Sequence, residues 1–176
     1  MTHDELVRSA KQRLEDQTVR LRTVLANMPD EKWNRPGNPL SVGQIIEHLV
    51  IVNRAYVQEL EGLVRQAPEN GGELPARYSI AGKLLINAAG PDSNAPMPSS
   101  VAPRPGEIPR GIETEFFALN EKIVTACDLA LGKNLSVVKF KNPIVGIIVM
   151  RLPDMFEVLA QHGERHTRQI EALATS

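Results

Sequence analysis

Apolar residues recur at intervals of three and four along four segments of this 176-residue chain. That interval is the period of an α-helix that buries one face, and in the first segment charged side chains fill the opposite face. The segments are residues 6–28, 45–63, 112–130 and 153–173. The pattern predicts an all-α fold of four amphipathic helices, and the chain length predicts a single domain over residues 1–176.

Local signals indicate where these helices begin and end. Ser41 is a predicted N-cap, and Gln44 stands three residues later in the position of a capping box. Pro29 and the prolines that follow it stop the first helix. Pro153 suits the first turn of the last helix, and Asp154 lies at the positive end of that helix.

Two connections lack the helical period. Residues 67–111 hold eight prolines and a Gly-Gly pair, which predicts a loop that is either ordered around the domain or partly mobile. A connection of this length lets the second and third helices run parallel, whereas a tight turn would make them antiparallel. Residues 135–150 are rich in β-branched side chains. There an extended, partly buried connection is favoured over a short hairpin.

Composition gives no support for several classes of partner. Twenty basic and 21 acidic residues give a net charge of −1, so nucleic acid and anionic membranes are not expected to bind. No segment reaches the ~18 uninterrupted apolar residues of a membrane span, and the first residues lack the apolar core of a signal peptide. The single cysteine, Cys127, suits a reducing compartment. We therefore expect a soluble cytoplasmic protein.

Three histidines are candidates for a metal site. His162 and His166 are four residues apart in the last helix, so their imidazoles lie on one face a single turn apart. His48 stands in the apolar stripe of the second helix and supplies a third imidazole. Three neutral nitrogen ligands would leave a zinc-like ion open coordination positions. Taken singly, His48 fits a hydrogen-bonded core residue, and the other two fit charges that favour a helix C-terminus.

Several motifs together resemble a known family. They are Trp33, the run from Leu40 to Leu49 with its Ser-Val-Gly-Gln start, the Pro-rich connection, Phe140-Lys141-Asn142-Pro143, and the closing run from His162 to Ile170. With these pieces the chain resembles the DinB/YfiT-like superfamily over nearly its whole length. The resemblance implies a four-helix bundle of up-down-down-up order, with a long Pro-rich crossover between helices 2 and 3.

The resemblance also implies a ligand set. The family places one histidine on the second helix and a His-x-x-x-His pair on the fourth, and together they bind a divalent ion, often nickel or zinc. His48, His162 and His166 stand at those positions. A histidine often stands where this chain has Asn142, so this departure removes support for a fourth contact from that loop. Characterised members include transferases that join low-molecular-weight thiols to electrophiles, and others are presumed metal-dependent hydrolases.

Charged neighbours of the histidines have two interpretations each. Glu47 and Glu164 could act as a general base or orient a ligand, but a salt-bridging or solvated glutamate is favoured. Arg165 and Arg168 could contact an anionic substrate, or could serve the helix dipole.

Four other residues are assigned to packing or set aside. Trp33 and Tyr56 are predicted packing anchors. Cys127 is predicted to be small and buried rather than nucleophilic. His3 lies in a polar leader and is left out of the site.

Two functional hypotheses follow. In the first, the protein is an enzyme, a thiol S-transferase or a hydrolase, whose divalent ion activates a thiol or water toward a small electrophile. In the second, it is a non-catalytic dimeric stress or interaction module with a structural or vestigial metal site. A homodimer through helix faces is expected in either case, because the first and third helices carry additional apolar residues. These residues are Val7, Val19, Val24, Phe117 and Val124.

Overall fold

The computed structural model describes residues 1–37 and 39–175. This part of the chain is mostly helical, as predicted. Its helices are α1 (His3–Ala26), α2 (Asp30–Trp33), α3 (Val42–Gln66), α4 (Ile80–Ala89), α5 (Ile112–Ala130) and α6 (Leu152–Thr175). Strands β1 (Lys139–Lys141) and β2 (Val149–Arg151) pair antiparallel. Within the described residues, no helix is both long and apolar enough to cross a membrane.

Capping interactions begin the long helices where the sequence favours them. The Ser41 hydroxyl accepts a hydrogen bond from the Gln44 backbone N–H, and the Gln44 side chain accepts one from the Ser41 N–H, so the predicted capping box is confirmed. Thr2 and Glu5 form a second capping box at the start of α1. Each box satisfies backbone donors that the first turn of a helix leaves free.

The four long helices bury their apolar stripes against each other. Helix α1 contacts α5 and α6, and α3 contacts the same two helices. One buried cluster joins the first half of α1, the second half of α3, the hairpin and the start of α6. The other joins the remaining halves of α1 and α3 with Trp33 and Ile170. Because α3 also packs against α6, side chains of the two helices meet in a shared seam.

Residues 67–111 contain a helix, α4, that the sequence pattern did not indicate. Ser79 caps α4: its hydroxyl accepts from the Gly82 N–H at 2.8 Å. The buried carboxylate of Asp154 in turn accepts from the Ser79 N–H and hydroxyl. A Cβ on Gly82 would lie 2.0 Å from the Asp154 carboxyl carbon, so only glycine fits against α6 here. The expectation of a connection without helical period is therefore wrong over residues 80–89.

Residues 139–151 form a short hairpin, which was the less favoured prediction for residues 135–150. Phe140 pairs with Met150 across the two strands, and both side chains are buried. Asn142 makes the turn, since its side-chain oxygen accepts from the backbone N–H groups of Ile144 and Val145. The favoured extended connection is thus corrected to a short antiparallel pair that closes over the core.

Most of the apolar residues that motivated the dimer pack within the chain itself. Val7 is buried, and Val24, Phe117 and Val124 pack against the core clusters while partly buried. Of the five, Val19 is the one that is mainly exposed. Dimerisation stays a prediction, with a smaller apolar surface behind it than the sequence suggested.

Candidate metal centre

The seam between α3 and α6 brings His48, His162 and His166 together. The Nε2 atom of His162 lies 3.0 Å from the Nε2 of His48 and 3.1 Å from the Nε2 of His166. One ring nitrogen from each histidine lies within 4.8 Å of the others. His48 and His166 are buried, and His162 is partly buried. The structure therefore brings together the three histidines that the sequence indicated as candidate ligands. Metal binding at the cluster stays a prediction.

Hydrogen bonds fix the orientation of two of the rings. The Nδ1 of His48 is 2.8 Å from the backbone oxygen of Val101, and the Nδ1 of His166 is 2.7 Å from the side-chain oxygen of Gln169. Both partners only accept, so each Nδ1 carries the proton and donates. In the neutral ring, each Nε2 then presents a lone pair toward His162. This arrangement is typical of metal-ligating histidines, whose other ring nitrogen is held by a protein acceptor.

The contacts around the His162 Nε2 suit a cation better than they suit hydrogen bonds alone. A neutral His162 has at most one proton on Nε2, whereas two neighbouring Nε2 lone pairs point at that atom. Nitrogen ligands about 2.0–2.1 Å from a shared ion stand roughly 3 Å apart, which is the spacing seen between these atoms. The donor set therefore fits a divalent ion of the zinc or nickel kind.

Burial keeps the three imidazoles in their neutral, ligating form. Desolvation lowers the pKa of His166 to about 3 and the pKa of His162 well below its ordinary value. The pKa of His48 is also lowered, mainly by burial. The positive charge of Arg165 contributes in the same direction for all three. At neutral pH no proton competes strongly for the Nε2 atoms, because protonation of any ring is disfavoured.

The two glutamates beside the ligands form salt bridges, as favoured from the sequence. Glu47 accepts from the Arg104 backbone N–H at 2.8 Å and pairs with its guanidinium at 2.7 Å. This contact holds the connection that carries the Val101 carbonyl against α3. Glu164 pairs with Arg20 of α1 and with Arg168 on its own helix. Both carboxylates therefore hold neighbouring segments in place through their arginine partners, and neither belongs to the histidine cluster.

Arg165 contacts a residue that lines a surface cavity, although it does not line the cavity itself. Its guanidinium donates to the Ala88 backbone oxygen at 3.2 Å, at the end of α4. A cavity of about 440 Å³ is lined by residues 86–88 and 90–93 together with Gln161, which adjoins His162 in the chain. Arg168, in contrast, is exposed. Of the two arginines, Arg165 is the one that contacts the lining of this cavity, through the carbonyl of Ala88.

The structure confirms most of the other roles predicted from the sequence and corrects one of them. Trp33 and Tyr56 are buried anchors, and Trp33 donates to the Ile108 backbone oxygen. Burial raises the pKa of the Cys127 thiol to about 12, as its packing role requires. Asn142 offers no ligand to the cluster: its amide nitrogen contacts the Tyr56 hydroxyl and its oxygen makes the hairpin turn. The placement of His3 in a polar leader is wrong, because its side chain is fully buried.

Sequence reasoning missed the groups that orient the rings. Val101 acts through its backbone carbonyl, which no side-chain pattern reveals. Gln169 follows His166 by three residues and so shares its helix face, which is a signal that could have been used. Arg165 was identified as a candidate, but its contact with Ala88 depends on α4.

One comparison with known proteins identifies the family of the chain. The family model of the DinB superfamily matches residues 13–170, and the chain therefore belongs to that superfamily. No curated protein and no solved structure matches the chain significantly.

Proposed function

We propose that this protein is a metal-dependent enzyme that transfers a thiol to a small electrophile or hydrolyses one. His48, His162 and His166 would hold the divalent ion, and their nitrogen ligands suit nickel or zinc. The observation that carries the proposal is the convergence of three Nε2 atoms, two of them oriented by protein acceptors. Neutral ligands would leave the ion its full positive charge.

The chemistry divides between the ion and the protein. A bound divalent ion would lower the pKa of a thiol or water and polarise the electrophile beside it. The protein contributes orientation through Val101 and Gln169, and partial exclusion of water through burial of His48 and His166. Cys127 is buried with a raised pKa, so the thiol of a transferase reaction would come from a small-molecule substrate.

The cavity beside Arg165 is the proposed approach for the substrate. Gln161 and the end of α4 line it, and Gln161 directly precedes His162 in α6. The Arg165 guanidinium donates to the carbonyl of Ala88, which lines the cavity, so a negatively charged group of the substrate would meet this cation at the Ala88 edge. Loop and helix residues of the connection would thus set specificity over a rigid ligand set.

The same proposal includes the arrangement of the helices and of the subunits. Helices α1, α3, α5 and α6 would form the up-down-down-up bundle of the family, with residues 67–111 as the crossover. The contacts of α1 and α3 with both α5 and α6 support it. The proposal also includes a homodimer. Light scattering at micromolar concentration should give the mass of a dimer, and the mass of a monomer would contradict this part of the proposal.

The test begins with protein purified without an immobilised-metal column. Metal content is measured before and after loading with nickel or zinc, for wild type and His166→Ala. Loaded protein is then given low-molecular-weight thiols with epoxides or halides, and separately esters and amides. Thiol transfer that requires His166 supports the transferase, and hydrolysis alone that requires His166 supports the hydrolase. A wild-type site that stays empty after loading overturns the proposal, and loaded protein without activity favours the non-catalytic module.

A further inference from the structure

A second cavity lies where the hairpin meets the start of α1, and its lining is positively charged. Its volume is about 530 Å³, and it takes three cations, Arg77, Lys139 and Arg151, from separate parts of the chain. His3, Asn134 and Ser136 supply polar groups, and the rest of the lining is apolar. None of the residues that line it is acidic. A cavity of this size suits a small metabolite.

The three cations have no carboxylate partner within the described residues. Other arginines of this chain, such as Arg13 and Arg20, bind carboxylates of α6. The nearby carboxylate of Asp154 accepts from the Arg151 backbone N–H, not from its guanidinium. The cavity therefore keeps about three positive charges in a chain whose net charge is −1.

The hairpin places two of these charges directly opposite each other. Lys139 of β1 pairs in register with Arg151 of β2, so their side chains lie on the same face of the hairpin. Like charges in directly opposed positions destabilise a two-stranded sheet. An anion bound between them would remove this repulsion.

A hydrogen-bond network that starts at the buried side chain of His3 joins three of the residues that line the cavity. The His3 Nδ1 donates to the Gly71 backbone oxygen at 2.9 Å, and its Nε2 accepts from the Ser136 hydroxyl at 2.7 Å. The Ser136 oxygen in turn accepts from the Arg77 backbone N–H at 2.9 Å. This network fixes the backbone of Arg77 beside Ser136, while the side chains of Arg77 and Lys139 stay exposed to an incoming ligand.

We propose that this cavity binds a small organic anion with two or more carboxylate or phosphate groups. Arginine forks and a lysine suit such groups, and the apolar lining suits a short carbon skeleton between them. The site is separate from the histidine cluster: His162 lies ten residues beyond Leu152, the first residue of α6, which is about 15 Å along the helix. The proposal does not depend on metal binding.

Isothermal titration calorimetry on the metal-free full chain tests it, with citrate and fructose 1,6-bisphosphate as probes and fructose as the neutral control. Saturable 1:1 binding of either anion is expected, and the preferred anion identifies the group as carboxylate or phosphate. The double variant Arg77→Gln/Lys139→Gln should weaken binding at least about tenfold, since two charge-assisted contacts are lost. The matched variant Arg35→Gln/Lys122→Gln, exposed and outside the cavity, should change it less than about twofold.

A second variant separates binding from folding. Lys139→Glu places a carboxylate opposite Arg151, so it should raise the thermal stability of the free protein while abolishing anion binding. The same titration on His162→Ala should be unchanged, which distinguishes this cavity from the histidine cluster. The proposal is overturned if neither anion binds at up to roughly 10 mM, if both double variants lose affinity equally, or if only a long polyanion such as polyglutamate binds.

Discussion

The Nε2 atoms of His48 and His162 lie 3.0 Å apart although 114 residues separate them in the chain. The contact exists because α3 packs against α6 and because Val101 holds the His48 ring by its other nitrogen. The two rings thus belong to the same site only in the folded protein. Their separate contributions can be tested by substitution.

Replacing His162 with alanine should abolish tight binding of nickel or zinc and leave the helical content nearly unchanged. The side chain is only partly buried, and the apolar stripes rather than an ion hold the helices together. Chelator competition measures the affinity, and far-UV circular dichroism measures the helix content. Loss of helical structure in this variant would mean that the metal is structural.

His3→Ala should lower the stability of the fold and leave metal binding unchanged. His3 is fully buried and bonds to Gly71 and Ser136, so its removal leaves a cavity and unsatisfied groups that cost about 1–3 kcal/mol of unfolding free energy. Metal stoichiometry should stay at the wild-type value. Urea denaturation with metal analysis of the same samples makes the comparison. A variant with wild-type stability would contradict the scaffold role.

Substitution of Gln169 tests whether ring orientation matters for the metal. Gln169→Leu removes the acceptor of the His166 Nδ1–H and should weaken metal binding roughly 10- to 100-fold. Gln169→Glu keeps an acceptor at the same position and is the matched control. Competition titrations with a chelator would count against this role if both variants behaved alike.

The stability of the metal-free protein should fall in acid through the histidine cluster. Burial lowers the pKa of His166 to about 3 from an ordinary value of 6.5. Below pH 6.5 His166 binds a proton in the unfolded chain but not in the folded chain. The free energy of unfolding therefore falls progressively as the pH is lowered to about 3. Above pH 6.5 His166 is neutral in both the folded and the unfolded state, so it no longer changes the free energy of unfolding.

The measurement is urea denaturation of metal-free protein at a series of pH values in that window. His166→Gln should give a shallower pH dependence than wild type, because one source of the proton difference is gone. Equal slopes would show that His166 is protonated normally in the folded state.

The helical part of the fold could be predicted because its signals are local. The capping box of Ser41 and Gln44 and the stripes of α1, α3 and α5 involve residues within a few turns of each other. Helix α4 was missed because its cap depends on Asp154, whose carboxylate lies 75 residues from Ser79 in sequence. The hairpin turn of Asn142 likewise depends partly on Tyr56, 86 residues away.

The sequence by itself determined that His162 and His166 share one face, since the geometry of an α-helix sets the positions of residues four apart. Only the tertiary structure decided which third ring joins them and how that ring is held, because His48 and the Val101 carbonyl reach α6 through packing between distant segments. The cationic cavity has the same origin. Arg77, Lys139 and Arg151 carry no common sequence signal, and they meet because the hairpin closes beside the segment that follows α3.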